Sequence, residues 1–176
     1  VEKNGHLFID APVSGGVVGA QAGTLTIMAS APQSVFEPAR ALLTAMGEKL
    51  FHVGTQAGQG AMMKTVNQLL CGVHIAAAAE GMALAEKAGI SGDVVLEILG
   101  GSAAASWMLN NRGPRMFEDD PMVASAVDIF VKDLGIVMDT GRKTKATLPI
   151  ASAALQMFLA ASAIGLGSKD DSQVID

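Results

Sequence analysis

From Gln59 to Ala88 the sequence holds no proline, is built largely of alanine, methionine and leucine, and is closed by Gly89. Such a stretch reads as one helix of about 45 Å. Its run of Gly72, Ala76, Ala77, Ala78, Ala79, Gly81, Ala83 and Ala85 offers small side chains where another helix can approach closely. A helix this long and this weakly polar is expected to be buried along much of its length. Composition agrees: half of the 176 residues are hydrophobic and only 4% are aromatic, which suits tightly packed helices better than a β-sandwich.

Upstream the pattern is different. Apolar runs at residues 7–10, 24–29 and 50–53 read as strands, and a helix opens near Pro32 and runs to Met46, with Gly47 as its C-cap and Gly54 ending the last strand. This is the tail of an α/β domain, assigned to residues 1–56; residues 57–176 are assigned to an all-helical domain, giving a mostly α chain. No flexible spacer separates the two. In the helical part Ser91 is a candidate N-cap for a helix through Leu99, and Gly100-Gly101 break it. Another short helix follows around residues 106–109, a longer one from about Ser125 to Arg142, and Pro149 sits in the first turn of the last long helix.

Two motifs about forty residues apart carry the chemistry. The first is Asp10-Ala-Pro-Val-Ser14-Gly15-Gly16, continuing to Gly19, Gly23 and Thr24; the second is Gly58-Gln-Gly60-Ala-Met-Met-Lys64-Thr-Val-Asn67-Gln68. In the first, a strand runs into a loop whose glycines and serine expose backbone N–H groups, a concave site for an anion. A carboxylate suits it better than a triphosphate, since no Gly-Lys-Ser/Thr follows. The alternative for the glycines is a tight structural turn. In the second, Lys64 is a candidate proton-transfer group; an isolated lysine at a helix start is ordinarily a solvated side chain, but the flanking Gly58, Gly60 and Asn67 favour chemistry. Asn67 and Gln68, three and four residues on, share its helix face. Gly58-Gln-Gly60 is no nucleotide fingerprint, lacking a third glycine and a βαβ context.

Other classes are disfavoured. A net charge of −5 without basic blocks leaves no footprint for nucleic acid. His6, His52 and His74 are too scattered for a metal site, and none is expected; His74, in the apolar run of the long helix, reads as an interior histidine. The single cysteine, Cys71, reads as a small buried hydrophobe and fits a reduced, cytoplasmic compartment. Residues 146–168 contain no Asp, Glu, Lys or Arg and are long enough to span a bilayer, yet hold Pro149, Gln156, Gly165, Gly167 and serines, so a buried helix is expected there rather than a membrane span.

The two motifs, with Gly23-Thr24-Leu-Thr-Ile-Met-Ala-Ser30 and Val131-Lys132-Asp133-Leu134-Gly135, occur in an order that resembles the β-hydroxyacid dehydrogenases, the family of 3-hydroxyisobutyrate dehydrogenase, tartronate semialdehyde reductase and L-threonate dehydrogenase. The resemblance covers nearly the whole chain. It implies a Rossmann-type first domain, NAD or NADP as cofactor, and oxidation of an alcohol carbon beta to a carboxylate, or the reverse. It also implies roles: Lys64 as acid/base; Ser14, Gly15 and Gly16 holding the substrate carboxylate, with Ser14 also near the nicotinamide; Asn67 and Gln68 orienting the lysine or binding substrate; Lys132 reaching the nicotinamide end of the cofactor. Burial and the positive charge of oxidised nicotinamide would both lower the pKa of that lysine toward neutrality. Members of the family begin with a half carrying G-x-G-x-x-G, which does not occur here, so the chain is expected to be a piece of a longer protein, lacking most of its cofactor site and inactive alone.

Departures narrow the resemblance. Gln68 stands where many relatives have a second asparagine, and Ser125, eight residues before Asp133, stands where 3-hydroxyisobutyrate enzymes tend to have phenylalanine. A hydroxyl in place of a ring suits a hydroxyl-bearing substrate. With Val73-His74-Ile75 and Asp170-Asp171-Ser172, these features are most similar to the L-threonate branch and imply a four-carbon sugar acid as substrate. The other readings are a 3-hydroxyisobutyrate or tartronate semialdehyde enzyme, and a non-catalytic, dimerising helical module of the same fold; a homodimer or homotetramer is expected, because helices at 66–88 and 149–165 are too weakly polar for a comfortable monomer.

Overall fold

Strand formation begins where apolar residues find a neighbouring backbone. The computed structural model describes residues 2–175, and in it the sheet is three strands in the order β1 (Val13–Ser14), β2 (Thr26–Ser30) and β3 (Lys49–Gly54). β1 runs antiparallel to β2, and β2 parallel to β3 in the register Ile27 to Leu50 and Met28 to Phe51. The parallel pair is joined through helix α2 (Gln33–Met46), which buries Phe36 and Leu43 against Ile27, Ala29 and Ala31. His52 of β3 stacks on Phe36 at 4.2 Å and places Nε2 2.8 Å from the Ala31 carbonyl oxygen.

Two local expectations are corrected here. The run at 7–10 is not a strand: residues 6–9 are irregular, Leu7 and Phe8 are exposed, and Asp10 alone makes an isolated bridge, to Ser30. An apolar run becomes a strand only where another backbone answers its N–H and C=O groups. The glycine-rich segment, expected as loop throughout, contains a seven-residue helix, α1 (Gly16–Ala22), ended by Gly23 at φ 68°. Its glycines hide any helical period, and its valines face outward.

The long helix is present as α3 (Gln59–Lys87), with Gly89 after it at φ 76°. The chain divides into two compact units, Val1–Asn67 and Gln68–Asp176, so the division falls within this continuous helix. The second unit holds α4 (Gly92–Gly100), α5 (Trp107–Arg112), α6 (Val127–Thr144) and α7 (Pro149–Ala161). Ser91 and Ser106 are the N-caps of α4 and α5, and the Ser106 hydroxyl accepts from Leu109 N at 3.0 Å. Ile75, Ala79 and Met82 of α3 form the core with Phe130, Leu134 and Val137 of α6 and Phe158 of α7. Gly72 is required there: a Cβ would sit 2.9 Å from Leu134 Cδ2.

Burial of α3 is less complete than its composition predicts. Only 33% of its most apolar 18-residue window is buried, and Met62, Met63, Val66, Leu70 and Leu84 are exposed. The segment Pro149–Leu166 likewise buries one face, through Ala151, Ala154, Phe158 and Ala161, and 22% of its window. Both segments are long and apolar enough to cross a membrane, a property they share with core helices of soluble proteins. His74 is exposed, not interior as expected, because α6 and α7 cover only one side of the long helix.

The chain end is pinned by charge. Asp170 and Asp171 are fully buried. Arg112 donates to Asp171 through Nε and Nη2, each at 2.9 Å, and Arg115 donates to Asp170 at 3.0 Å. Asp170 also accepts from Ala124 N at 2.9 Å and from the Ser172 hydroxyl at 2.7 Å.

Candidate active site

The first unit holds both candidate motifs, the Ser14–Gly16 turn and Lys64. Ser14 closes β1, and the turn after it is possible only for glycine, with Gly15 at φ 131° and Gly16 at φ 60°. The first bond of α1 runs from Gly19 N to the Gly15 carbonyl oxygen at 3.0 Å. Helix geometry therefore leaves the amides of Gly16, Val17 and Val18 without intrahelical acceptors, in an exposed segment. Helix-start amides without intrahelical acceptors are groups that a carboxylate can bond.

Lys64 and Asn67 lie half-buried near the start of α3. That start is fastened to Asp10, just upstream of β1, and to Ser30 at the end of β2. Asp10 Oδ2 accepts from Gly58 N and from Ala61 N, each at 2.9 Å, and the Ser30 hydroxyl accepts from Gly60 N at 2.9 Å while donating to Asp10 at 3.3 Å. Gly60 permits the approach, since a Cβ would lie 2.4 Å from the Met28 carbonyl oxygen and 2.8 Å from that of Asp10. In the sequence Asp10 and Ser30 stand within motifs without a role, because nothing local links them to a helix start that lies 30 residues beyond Ser30 and 48 to 51 beyond Asp10.

The second unit joins Gln68 to the Lys-Asp pair. Gln68 Nε2 donates to Asp133 Oδ2 at 2.6 Å, and Lys132 Nζ lies 3.0 Å from Asp133 Oδ1. Asp133 is 13% exposed and Lys132 65%, so the carboxylate is an inner anchor and the ammonium points to solvent. The extra methylene of Gln68, noted only as a departure from asparagine, is what carries an amide to Asp133. Ser125 contributes its backbone carbonyl to Asp171 N at 2.7 Å. Among the described residues, no three His, Cys, Asp or Glu side chains gather as a metal site would need.

A parallel βαβ tail feeding a long helix and a helical domain is the layout of a dinucleotide-dependent dehydrogenase. Residues 58–176 match the family described as NAD-binding of NADP-dependent 3-hydroxyisobutyrate dehydrogenase, and residues 1–54 match the NAD binding domain of 6-phosphogluconate dehydrogenase. The chain belongs to the 3-hydroxyisobutyrate dehydrogenase family of β-hydroxyacid dehydrogenases. It is 47% identical to an L-threonate dehydrogenase of Cupriavidus necator over 98% of its own length and 58% of that protein's. With an L-threonate dehydrogenase of Escherichia coli K12 the figures are 48%, 96% and 56%. A crystal structure of a 3-hydroxyisobutyrate dehydrogenase from Salmonella typhimurium superposes with a TM-score of 0.90 at 47% identity, covering 96% of this chain and 59% of the other. The chain thus spans a little under three-fifths of these relatives.

Proposed function

We propose that this chain is the substrate-side portion of an NAD(P)-dependent dehydrogenase that oxidises a short β-hydroxy acid, with L-threonate or a similar four-carbon sugar acid as substrate. The observation that supports the reading is that the helix carrying Lys64 has its start bonded to Asp10, four residues before Ser14 and the glycine turn, within the same unit. L-threonate dehydrogenases at 47% and 48% identity support the substrate.

Each unit holds donors of the kind this chemistry needs: the Ser14 hydroxyl and helix-start amides in the first, for a carboxylate, and the exposed Lys132 ammonium in the second, for the cofactor. NAD or NADP, when bound, supplies the hydride acceptor. The amides after Gly15 and the Ser14 hydroxyl bind the substrate carboxylate and fix the position of its β-carbon. Lys64 Nζ then takes the proton of the β-hydroxyl as the carbonyl forms, and returns it in the reverse direction. Asn67 orients the hydroxyl toward Lys64. Gln68, through Asp133, steadies Lys132 on the cofactor side.

A 3-hydroxyisobutyrate activity is the second reading, supported by the name of the Salmonella relative. The full-length protein, assayed with L-threonate, 3-hydroxyisobutyrate and glycerate in the presence of NAD or NADP, separates them: a kcat/KM for L-threonate no better than for 3-hydroxyisobutyrate overturns the first. We read the protein as a cytoplasmic homodimer or homotetramer, supported by the single cysteine and by the apolar faces that α3 and α7 expose. Light scattering giving a monomer at micromolar concentration overturns the assembly.

A further inference from the structure

We propose that Asp10 and Ser30 are positioning residues for Lys64, setting the start of α3 against the segment that enters the Ser14–Gly16 turn; the proposal rests on reading Lys64 as the proton-transfer group. The first amides of a helix have no carbonyl of their own helix to bond. Here they are answered by side chains from the opposite end of the unit's sequence. One oxygen of Asp10 holds Gly58 N and Ala61 N, and Ser30, fully buried, holds Gly60 N. The Ser30 hydroxyl donates in turn to that same Asp10 oxygen, so the two acceptors act as one clamp.

The clamp is tight because of Gly60. With no side chain there, the helix backbone rests on the strand, and a Cβ would meet the Met28 carbonyl oxygen, the Asp10 carbonyl oxygen and, at 3.0 Å, Pro12 Cδ. Lys64 follows Ala61 by one helical turn, so the angle and depth at which the helix meets the strand decide where its ammonium lies. A reacting group displaced by about 1 Å costs on the order of a hundredfold in rate.

The turn that binds the carboxylate does not depend on these side chains. Asp10 and Ser30 also bond through their backbones, Asp10 N to the Ser30 carbonyl at 3.1 Å and Ser30 N to the Asp10 carbonyl at 2.7 Å, and Met28 N bonds the Pro12 carbonyl at 3.0 Å. Removing the Asp10 carboxylate therefore frees the helix start while the strand bridge and the turn persist. The signature is a loss in kcat with KM held, which a cap serving stability alone does not produce in folded enzyme.

The experiment is a double-mutant cycle in the full-length enzyme, with kcat and KM for the hydroxy acid measured on folded protein. Asp10→Ala is expected to lower kcat about tenfold or more with KM changed less than about twofold. Asp10→Asn, which keeps an acceptor oxygen, recovers most of that loss, and Ser30→Ala gives a smaller loss of the same kind. In a Lys64→Ala background, Asp10→Ala has no further effect on kcat, because the group it positions is gone. An unchanged kcat in Asp10→Ala with only a lowered Tm overturns the positioning role, as does an equal loss in both backgrounds. Should Asp10→Ala fail to fold, Ser30→Ala carries the same cycle with the same criteria. A Lys64→Ala enzyme with normal kcat overturns the reading of Lys64 itself and the proposal with it, and that result is read from the single variant alone.

Discussion

Asp10 and Asp171 are both carboxylates held by groups far away in sequence, yet their surroundings give them opposite tasks. Asp10, half-buried in the first unit, accepts from two backbone amides and a hydroxyl, all uncharged donors. Asp171, fully buried in the second unit, is gripped by both arms of the Arg112 guanidinium, with Asp170 and Arg115 beside it. Deleting the Asp10 carboxylate leaves only uncharged donors behind and strands no charge. A buried ion pair is close to all-or-nothing, since deleting one member leaves the other charged, dry and uncompensated. The first cluster should therefore reveal itself in kinetics and the second in stability.

The largest expected effect tests the second half of this contrast. Arg112→Ala in the full-length protein should cost about 3–5 kcal/mol of stability, read from denaturant unfolding. Replacing Arg112 and Asp171 together by apolar residues of similar size should restore much of it. A single-variant loss below about 1 kcal/mol, the range of a surface pair, would remove the distinction between the clusters.

Lys64→Ala tests the first half: kcat should fall roughly a hundredfold or more, with Tm and cofactor affinity nearly unchanged. Near-normal turnover at saturating substrate across neutral pH would return Lys64 to a binding or structural role. Ser14→Ala should have a smaller effect and of a different kind. The substrate carboxylate is charged in ground and transition states alike, so losing a contact to it raises KM, by about tenfold, more than it lowers kcat. A fall in kcat with KM unchanged would contradict the cradle.

The smallest effect is a pH dependence. Burial pushes the Asp170 carboxyl up, but hydrogen bonds from Ser172 and Ala124 N and the charge of Arg115 outweigh it and hold the group below its ordinary value. A lowered native pKa means that its stabilising contribution is complete above the unfolded value of about 3.9 and is lost as pH falls through the folded one. Asp171 has the opposite sign: burial, opposed by Arg112, raises its carboxyl, so its protonation favours the folded state as pH falls. Asp170→Asn should thus be less stable than the parent at neutral pH, with the gap narrowing below about pH 4. A gap that is constant down to acid pH would show that Asp170 contributes through shape rather than charge.

Legibility from sequence followed the range of the interactions. Helices α2, α3 and α7 and strands β2 and β3 were readable to within a few residues, since proline, glycine and apolar periodicity act over one or two turns. Helix α1 was missed because its glycines, chosen for the turn at Gly15 and Gly16, also erase the helical pattern. The apolar run at 7–10 was misread as a strand because pairing is a property of two segments and only Asp10 found a partner. At the candidate site, residue types in motif order pointed to Ser14, Lys64, Asn67, Gln68 and Lys132, while the groups that hold them were silent.

By itself, then, the sequence determined the kinds of elements, their order and the family to which the chain belongs, because propensity, capping and motif spacing are local and additive. Only the tertiary structure decided which polar groups meet. Asp10 reaches Gly58 across 48 positions and Ala61 across 51, Arg112 reaches Asp171 across 59, and Gln68 reaches Asp133 across 65. No pattern within one helix or strand encodes such pairs. They exist because a folded backbone brings a buried donor to the acceptor it would otherwise lack, and leaving either unmet would cost more than the fold can spare.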